Sequence, residues 1–152
     1  MQNFGHLIER KGLYSGEGIN HEGQKFRGTL SLEPIIGGKG IELRFKAQGE
    51  KGEAYHEEQS LIAPTFSRGI SLFVISNNHP ALAEHTLNRE EPLKSGDGKR
   101  LIFGLGDPKD AKTFREEIAV DLFTNGDLAY TYCWGMPGGE FTERSGVRMK
   151  RI

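Results

Sequence analysis

At 152 residues the chain has the length of one domain. A chain of this size can bury about 70% of its unfolded surface, so it needs neither disulfides nor a metal to fold. Its 20 Lys and Arg nearly cancel its 21 Asp and Glu, leaving a formal charge of -1, and this excludes a nucleic-acid binder held mainly by phosphate contacts.

Hydrophobic residues at 36% and charged residues at 27% are ordinary for a globular protein, but Gly, at 21 residues, has about twice its usual share. With no G-X-Y period, these glycines point to tight turns and kinked strands. Residues 1–8 carry no basic stretch followed by an apolar run, so no secretory signal is expected. No apolar run approaches the ~20 residues needed to cross a bilayer as a helix. Cys133 is alone, which rules out an intramolecular disulfide. A cytoplasmic protein without a membrane span is the expectation.

Residues 1–10 are expected to form a helical turn. Beyond them nearly every segment alternates with period two, and turn residues interrupt it every 8 to 14 positions, the pattern of an all-β chain. A glycine-rich strand over 12–18 comes first. In 25–33, Phe26, Gly28, Leu30 and Leu32 share one face, and after the Gly37-Gly38 turn Ile41, Leu43, Phe45 and Ala47 share another. A more polar strand over 53–63 ends at Pro64. Segment 69–76 is nearly all apolar and reads as a strand covered on both sides.

A turn at 77–80 leads to a weaker strand over 81–88, and 89–99 reads as a polar loop. Strands follow over 100–106 and 114–123, the latter with Ile118, Val120 and Leu122 in phase, and 107–112 suits a second helical turn. Asn125-Gly126 is a strong hairpin signal, after which Leu128, Tyr130, Tyr132 and Trp134 share a face and 141–151 closes the chain. About ten antiparallel strands joined by short links favour an up-and-down barrel, a single domain over 1–152, rather than a Greek-key sandwich. Closure also removes exposed strand edges.

The run Gly12-Leu13-Tyr14-Ser15-Gly16-Glu17-Gly18 resembles the G-x-W-x-G-x-G opening strand of calycin-type barrels, the lipocalin, fatty-acid-binding and nitrobindin-like group, with Tyr14 in the place of Trp. The segment from Leu128 through Trp134 to Arg144 and Arg148 is similar to their closing hairpin, where a basic residue often covers the barrel's end. The resemblance implies an internal cavity for a small apolar or amphipathic molecule. Residues 18–24 are too few for the helix pair of the fatty-acid carriers, and 86–152 contain no histidine for a nitrobindin-like haem. The nearer likeness is to small bacterial lipocalin-like proteins, and no cofactor is expected.

The most polar strand stretch is Tyr55-His56-Glu57-Glu58-Gln59. Alternation places His56, Glu58 and Ser60 on one face; turned inward, they give a polar group able to orient a ligand or move a proton, and turned outward they face water. The five histidines, including His79 in a turn and His85, show no metal-ligand spacing, so no metal site is expected. Tyr130, Tyr132 and Trp134 form an aromatic stripe that reads as core or as cavity wall.

Arg44, Arg144 and Arg148 are candidate anion partners. The glycines at 37–40 and 104–106 lack a phosphate-loop context and read as turns, and no serine has a nucleophile-elbow setting. Three functions remain open. The first is a binding protein holding a small hydrophobic or amphipathic ligand among Phe45, His56, Glu58, His85, Tyr130, Tyr132, Trp134 and Arg144. The second is a packed barrel acting as a scaffold that forms a homodimer through 70–75 and 81–87. The third is an enzyme using His56 and Glu58 on an apolar substrate.

Overall fold

A computed structural model describes residues 2–152. Ten antiparallel strands close into an up-and-down barrel in which each strand pairs with its chain neighbours and β1 pairs with β10. The strands are β1 (Gly12–Asn20), β2 (Lys25–Ile35), β3 (Gly40–Gly49), β4 (Ala54–Pro64), β5 (Ile70–Ser76), β6 (Ala83–Pro92), β7 (Gly98–Leu105), β8 (Arg115–Phe123), β9 (Leu128–Gly135) and β10 (Thr142–Arg151). A helix, α1 (Gln2–Glu9), precedes them. Met1, part of the expected helical turn, lies outside the described residues.

Alternation explains the core. Leu30 and Leu32 of β2, Leu43 of β3, Leu72 of β5, Leu101 and Phe103 of β7, and Ile118 and Val120 of β8 are all buried and packed in one cluster. Each such side chain contributes about 1.5–3 kcal/mol by leaving water.

Closure depends on the glycines of β1. A Cβ on Gly16 would lie 2.1 Å from the carbonyl oxygen of Arg148 on β10, so only glycine lets the first and last strands approach this closely.

α1 seals one end. Its buried side chains, Phe4 and Leu7, lie a helical turn apart and join the core cluster. Arg10, just past the helix, donates hydrogen bonds to the carbonyls of Phe123 and Asp127 at the β8–β9 turn. Lys99 ties the helix to the wall through Asn3, His6 and Glu90. At the same end Tyr14 is fully buried and donates to the carbonyl of Arg10, and Arg151 donates to the Tyr14 hydroxyl at 2.9 Å. The basic residue that covers this end is therefore Arg151, and neither Arg144 nor Arg148 takes that place.

Four expectations change. Segment 89–99 is mostly strand: β6 runs to Pro92 and β7 starts at Gly98. Its charges belong to the outer wall, where Arg89 grips Glu117 at 2.7 and 3.1 Å; just beyond the segment, Arg100 grips Asp121 at 2.7 and 2.9 Å. These flat guanidinium pairs cover the outside of β8, whose residues are buried on both faces. β5, expected to be covered on both sides, has Ile75 exposed and Phe73 half-buried on its outer face. Residues 107–112 form turns with no helix, and Gly104 lies within β7 instead of a turn.

Candidate functional site: a cup at the open end

The end opposite α1 is open. Around it stand the β1–β2, β3–β4, β5–β6, β7–β8 and β9–β10 connections, which surround a cavity of about 760 Å³. Its wall includes Phe26, Phe45, Ala47, Phe114, Tyr132 and Trp134, with His56, His79, Glu116 and Arg144 as polar members. The hollow is thus a cup at one end; the rest of the interior is filled by the core.

The floor of the cup is a polar knot. Glu58, on β4, is fully buried at its side chain and accepts four hydrogen bonds. The Tyr132 hydroxyl donates to Oε1 at 2.5 Å and the Tyr130 hydroxyl to Oε2 at 2.8 Å. Ser60 Oγ donates to Oε2 at 2.5 Å, and His56 Nε2 lies 3.1 Å from Oε1. These donors saturate a carboxylate that would otherwise be costly to bury. Burial, then the charge of Glu58, pushes both tyrosines well above their ordinary value. They stay protonated donors. Asn78 Nδ2 lies 2.7 Å from His56 Nδ1, so both ring nitrogens of His56 are occupied.

A second cluster stands on the wall. Glu116 of β8 lies in phase with Ile118 and Val120 and points inward. His85 Nε2 and His79 Nε2 lie 2.7 and 3.0 Å from the same oxygen, Oε1. Burial works against ionising Glu116, but the hydrogen bonds from His79 and His85 outweigh it and hold the carboxyl below its ordinary 4.5. The hydrogen bond to Glu116 raises His79 above its usual value, against the smaller effect of burial. Ser76 Oγ sits 3.1 Å from His79 Nδ1, so this ring too has both nitrogens engaged. His85 is wholly buried with Nδ1 unpartnered. The fitting tautomer carries its proton on Nε2 and leaves Nδ1 a bare lone pair.

The structure sorts the residues singled out in the sequence. Phe45, His56, Tyr132, Trp134 and Arg144 line the cup. Glu58 and Tyr130 lie in the floor beneath it, and His85 sits behind Glu116. His56 and His85 serve different carboxylates; the ring near His85 is His79, 6.2 Å away between centroids. Arg144 stacks over Trp134 at 4.1 Å and donates to the carbonyls of Trp134 and Glu140.

Arg44 and Arg148 point outward, Arg44 to Glu42 and Arg148 to Asp127. In the two segments proposed for a dimer, Leu72, Val74 and His85 are buried, while Ile75 and Leu82 are exposed. Cys133 is half-buried, and burial first, then the charges of Glu143 and Glu117, pushes its thiol up to about 11, leaving it unreactive at neutral pH.

Sequence reasoning missed Glu116 and assigned His79 a structural part in its turn. Glu116 carried a signal, since it occupies the same alternating phase as Ile118, Val120 and Leu122. His79 carried none, because its place depends on how the β5–β6 connection folds over the rim. Among the described residues no group of three His, Cys, Asp or Glu is arranged to hold a metal, and no helix is long and apolar enough to cross a membrane.

No protein-family model matches the sequence, and no curated protein sequence matches it. Among solved structures it is similar to a de novo designed fluorescence-activating β-barrel, at 14% identity over 93% of each chain and a TM-score of 0.46. The likeness is one of barrel architecture.

Proposed function

We propose that this protein is a lipocalin-like binding protein that holds a small hydrophobic or amphipathic molecule in the cup. The observation that carries this reading is a cavity of about 760 Å³, walled by aromatic side chains, closed below and open above. Its size falls within the roughly 300–1,000 Å³ typical of small-molecule sites, and a few converging polar groups in an apolar wall are what such sites use to orient a ligand. The glycine-rich β1 and the cover of Arg151 over Tyr14 support the calycin-like reading.

The competing enzymatic reading is weaker on chemical grounds. A general base needs a free lone pair within reach of substrate. Both nitrogens of His56 are occupied by Glu58 and Asn78, and Glu58 itself is saturated by four donors. The test is direct: native mass spectrometry of the purified protein, with titration by the apolar fluorophore N-phenyl-1-naphthylamine. One bound molecule per chain is expected. A protein that binds neither this probe nor any co-purified compound contradicts the reading.

A further inference from the structure

Glu116 lines the cup, yet both of its imidazole partners bond the same oxygen, Oε1. Oε2 has no hydrogen-bond partner among the described residues. It is also absent from the side-chain atoms that are sealed from solvent without a partner, which are His85 Nδ1 and Arg115 Nε. Since the Glu116 side chain is only 3% exposed, the opening that reaches Oε2 is the cup. A carboxylate oxygen accepts and never donates. The inner wall therefore presents an unmet acceptor at Glu116, whereas His21, Glu22 and Gln24, which also line the cup, are exposed to water at its rim.

The other polar groups nearby do not offset it. Glu58 spends its acceptors on the floor, and His56 and His79 have both nitrogens engaged. Arg144, the guanidinium on the wall, sits over Trp134 and gives its Nε and one Nη to the carbonyls of Trp134 and Glu140, which ties it to the β9–β10 side of the cup.

We infer that the ligand of the cup is an amphipathic molecule whose polar end is a hydrogen-bond donor, an amine or a hydroxyl, seated on Glu116 Oε2, and that a carboxylate head is rejected there. This inference rests on the binding reading above and specifies its ligand class. An amine or alcohol supplies the missing N–H or O–H. A carboxylate brings a second acceptor and a like charge against Oε2, leaving both desolvated and unpaired.

The test is displacement of N-phenyl-1-naphthylamine by decylamine, 1-decanol and decanoate at neutral pH, chains alike in length and different only in the head. Wild type is expected to bind the amine and the alcohol at least about tenfold more tightly than decanoate, the scale of one hydrogen bond to a charged group. Glu116→Gln sharpens this. The Nε2–H groups of His79 and His85 would hold the amide oxygen toward themselves, turning the amide NH₂ into the cup. Acceptor becomes donor, and the preference is expected to shift toward decanoate by about tenfold or more.

Decanoate binding as tightly as decylamine in wild type, or an unchanged ranking in a folded Glu116→Gln, overturns the inference and leaves the binding function standing. Should the variant fail to fold, the wild-type ranking alone decides. Failure of the fluorophore and all three chains to bind, with no co-purified compound in the native mass spectrum, removes the binding function and the inference with it.

Discussion

Tyr132 on β9 donates a hydrogen bond to Glu58 on β4, and in the ring of ten strands these two stand directly opposite one another. The bond is a crossbar. It spans the lumen, separates the open cup from the packed half, and is doubled by Tyr130 from the same strand.

Removing the acceptor should therefore cost more than removing one donor. Glu58→Ala leaves two buried phenols and Ser60 unpaired and is expected to lower stability by about 3 kcal/mol or more. Tyr132→Phe removes one bond to a charged group, worth about 1.5–3 kcal/mol. Urea denaturation of both variants checks this; Glu58→Ala costing no more than Tyr132→Phe contradicts the crossbar.

The wall cluster should make stability depend on pH in a defined direction. His79 is raised in the fold by Glu116, so its contribution is complete below its unfolded value near 6.5 and is lost as pH rises through the higher folded value. Glu116 is held below 4.5, so its contribution is present above that value and is lost as pH falls through the folded one. Glu58 from β4 and His85 from β6 are the other titratable groups near His79, and the charge of Glu58 acts in the same direction as that of Glu116. The stability deficit of His79→Gln is expected to be largest between these two values and to shrink as pH rises above 6.5. Thermal melts across that range, wild type against variant, measure it.

Trp134 is the sole tryptophan and stands on the wall of the cup. Its emission should therefore report occupancy directly. Titration with N-phenyl-1-naphthylamine is expected to quench Trp134 and sensitise the probe with one-to-one stoichiometry. Probe binding with no change in Trp134 emission would place it elsewhere, for instance in the outer groove beside Leu13 and Ile75.

At the closure seam, Gly16→Ala forces a methyl group against the Arg148 carbonyl, a backbone atom with no rotamer in which to escape. Overpacking of this kind costs about 1–3 kcal/mol. Hydrogen exchange should locate the loss, with the amides of β1 and β10 losing protection before those of β3 and β4.

Leu7→Ala examines the sealed end. This fully buried side chain of α1 is expected to contribute about 2–5 kcal/mol, as buried leucines do. Fluorophore affinity of the folded variant should stay unchanged, because the crossbar lies between Leu7 and the cup.

Much of this was legible in the sequence wherever one face is apolar and the other polar. Phe26 to Leu32 and Ile41 to Ala47 read directly as barrel wall, and the same phase in β4 grouped His56 with Glu58 and Ser60. The reading failed where charge served the fold. Arg89 and Lys99 resemble a solvated loop until Glu117 and Glu90 are set beside them by pairing across β6, β7 and β8. It failed again at the cup, because period-two alternation says which face a residue takes and nothing about depth. Phe103 and Phe45 obey the same rule and both are buried in the core cluster, yet only Phe45 also lines the cup. His79 lies outside any alternating segment, so its partnership with Glu116 exists only once the β5–β6 connection has settled on the rim.

The crossbar also bears on how such a protein can change over generations. Below Glu58 the interior is packed core and above it stands the cup, so substitutions at Phe114 or Trp134 reshape the wall while the packing beneath the crossbar stays intact. Phe26 and Ala47 belong to both the wall and the core cluster and are held by both. Lineages sharing this architecture are then free to vary the rim while inheriting the same foundation.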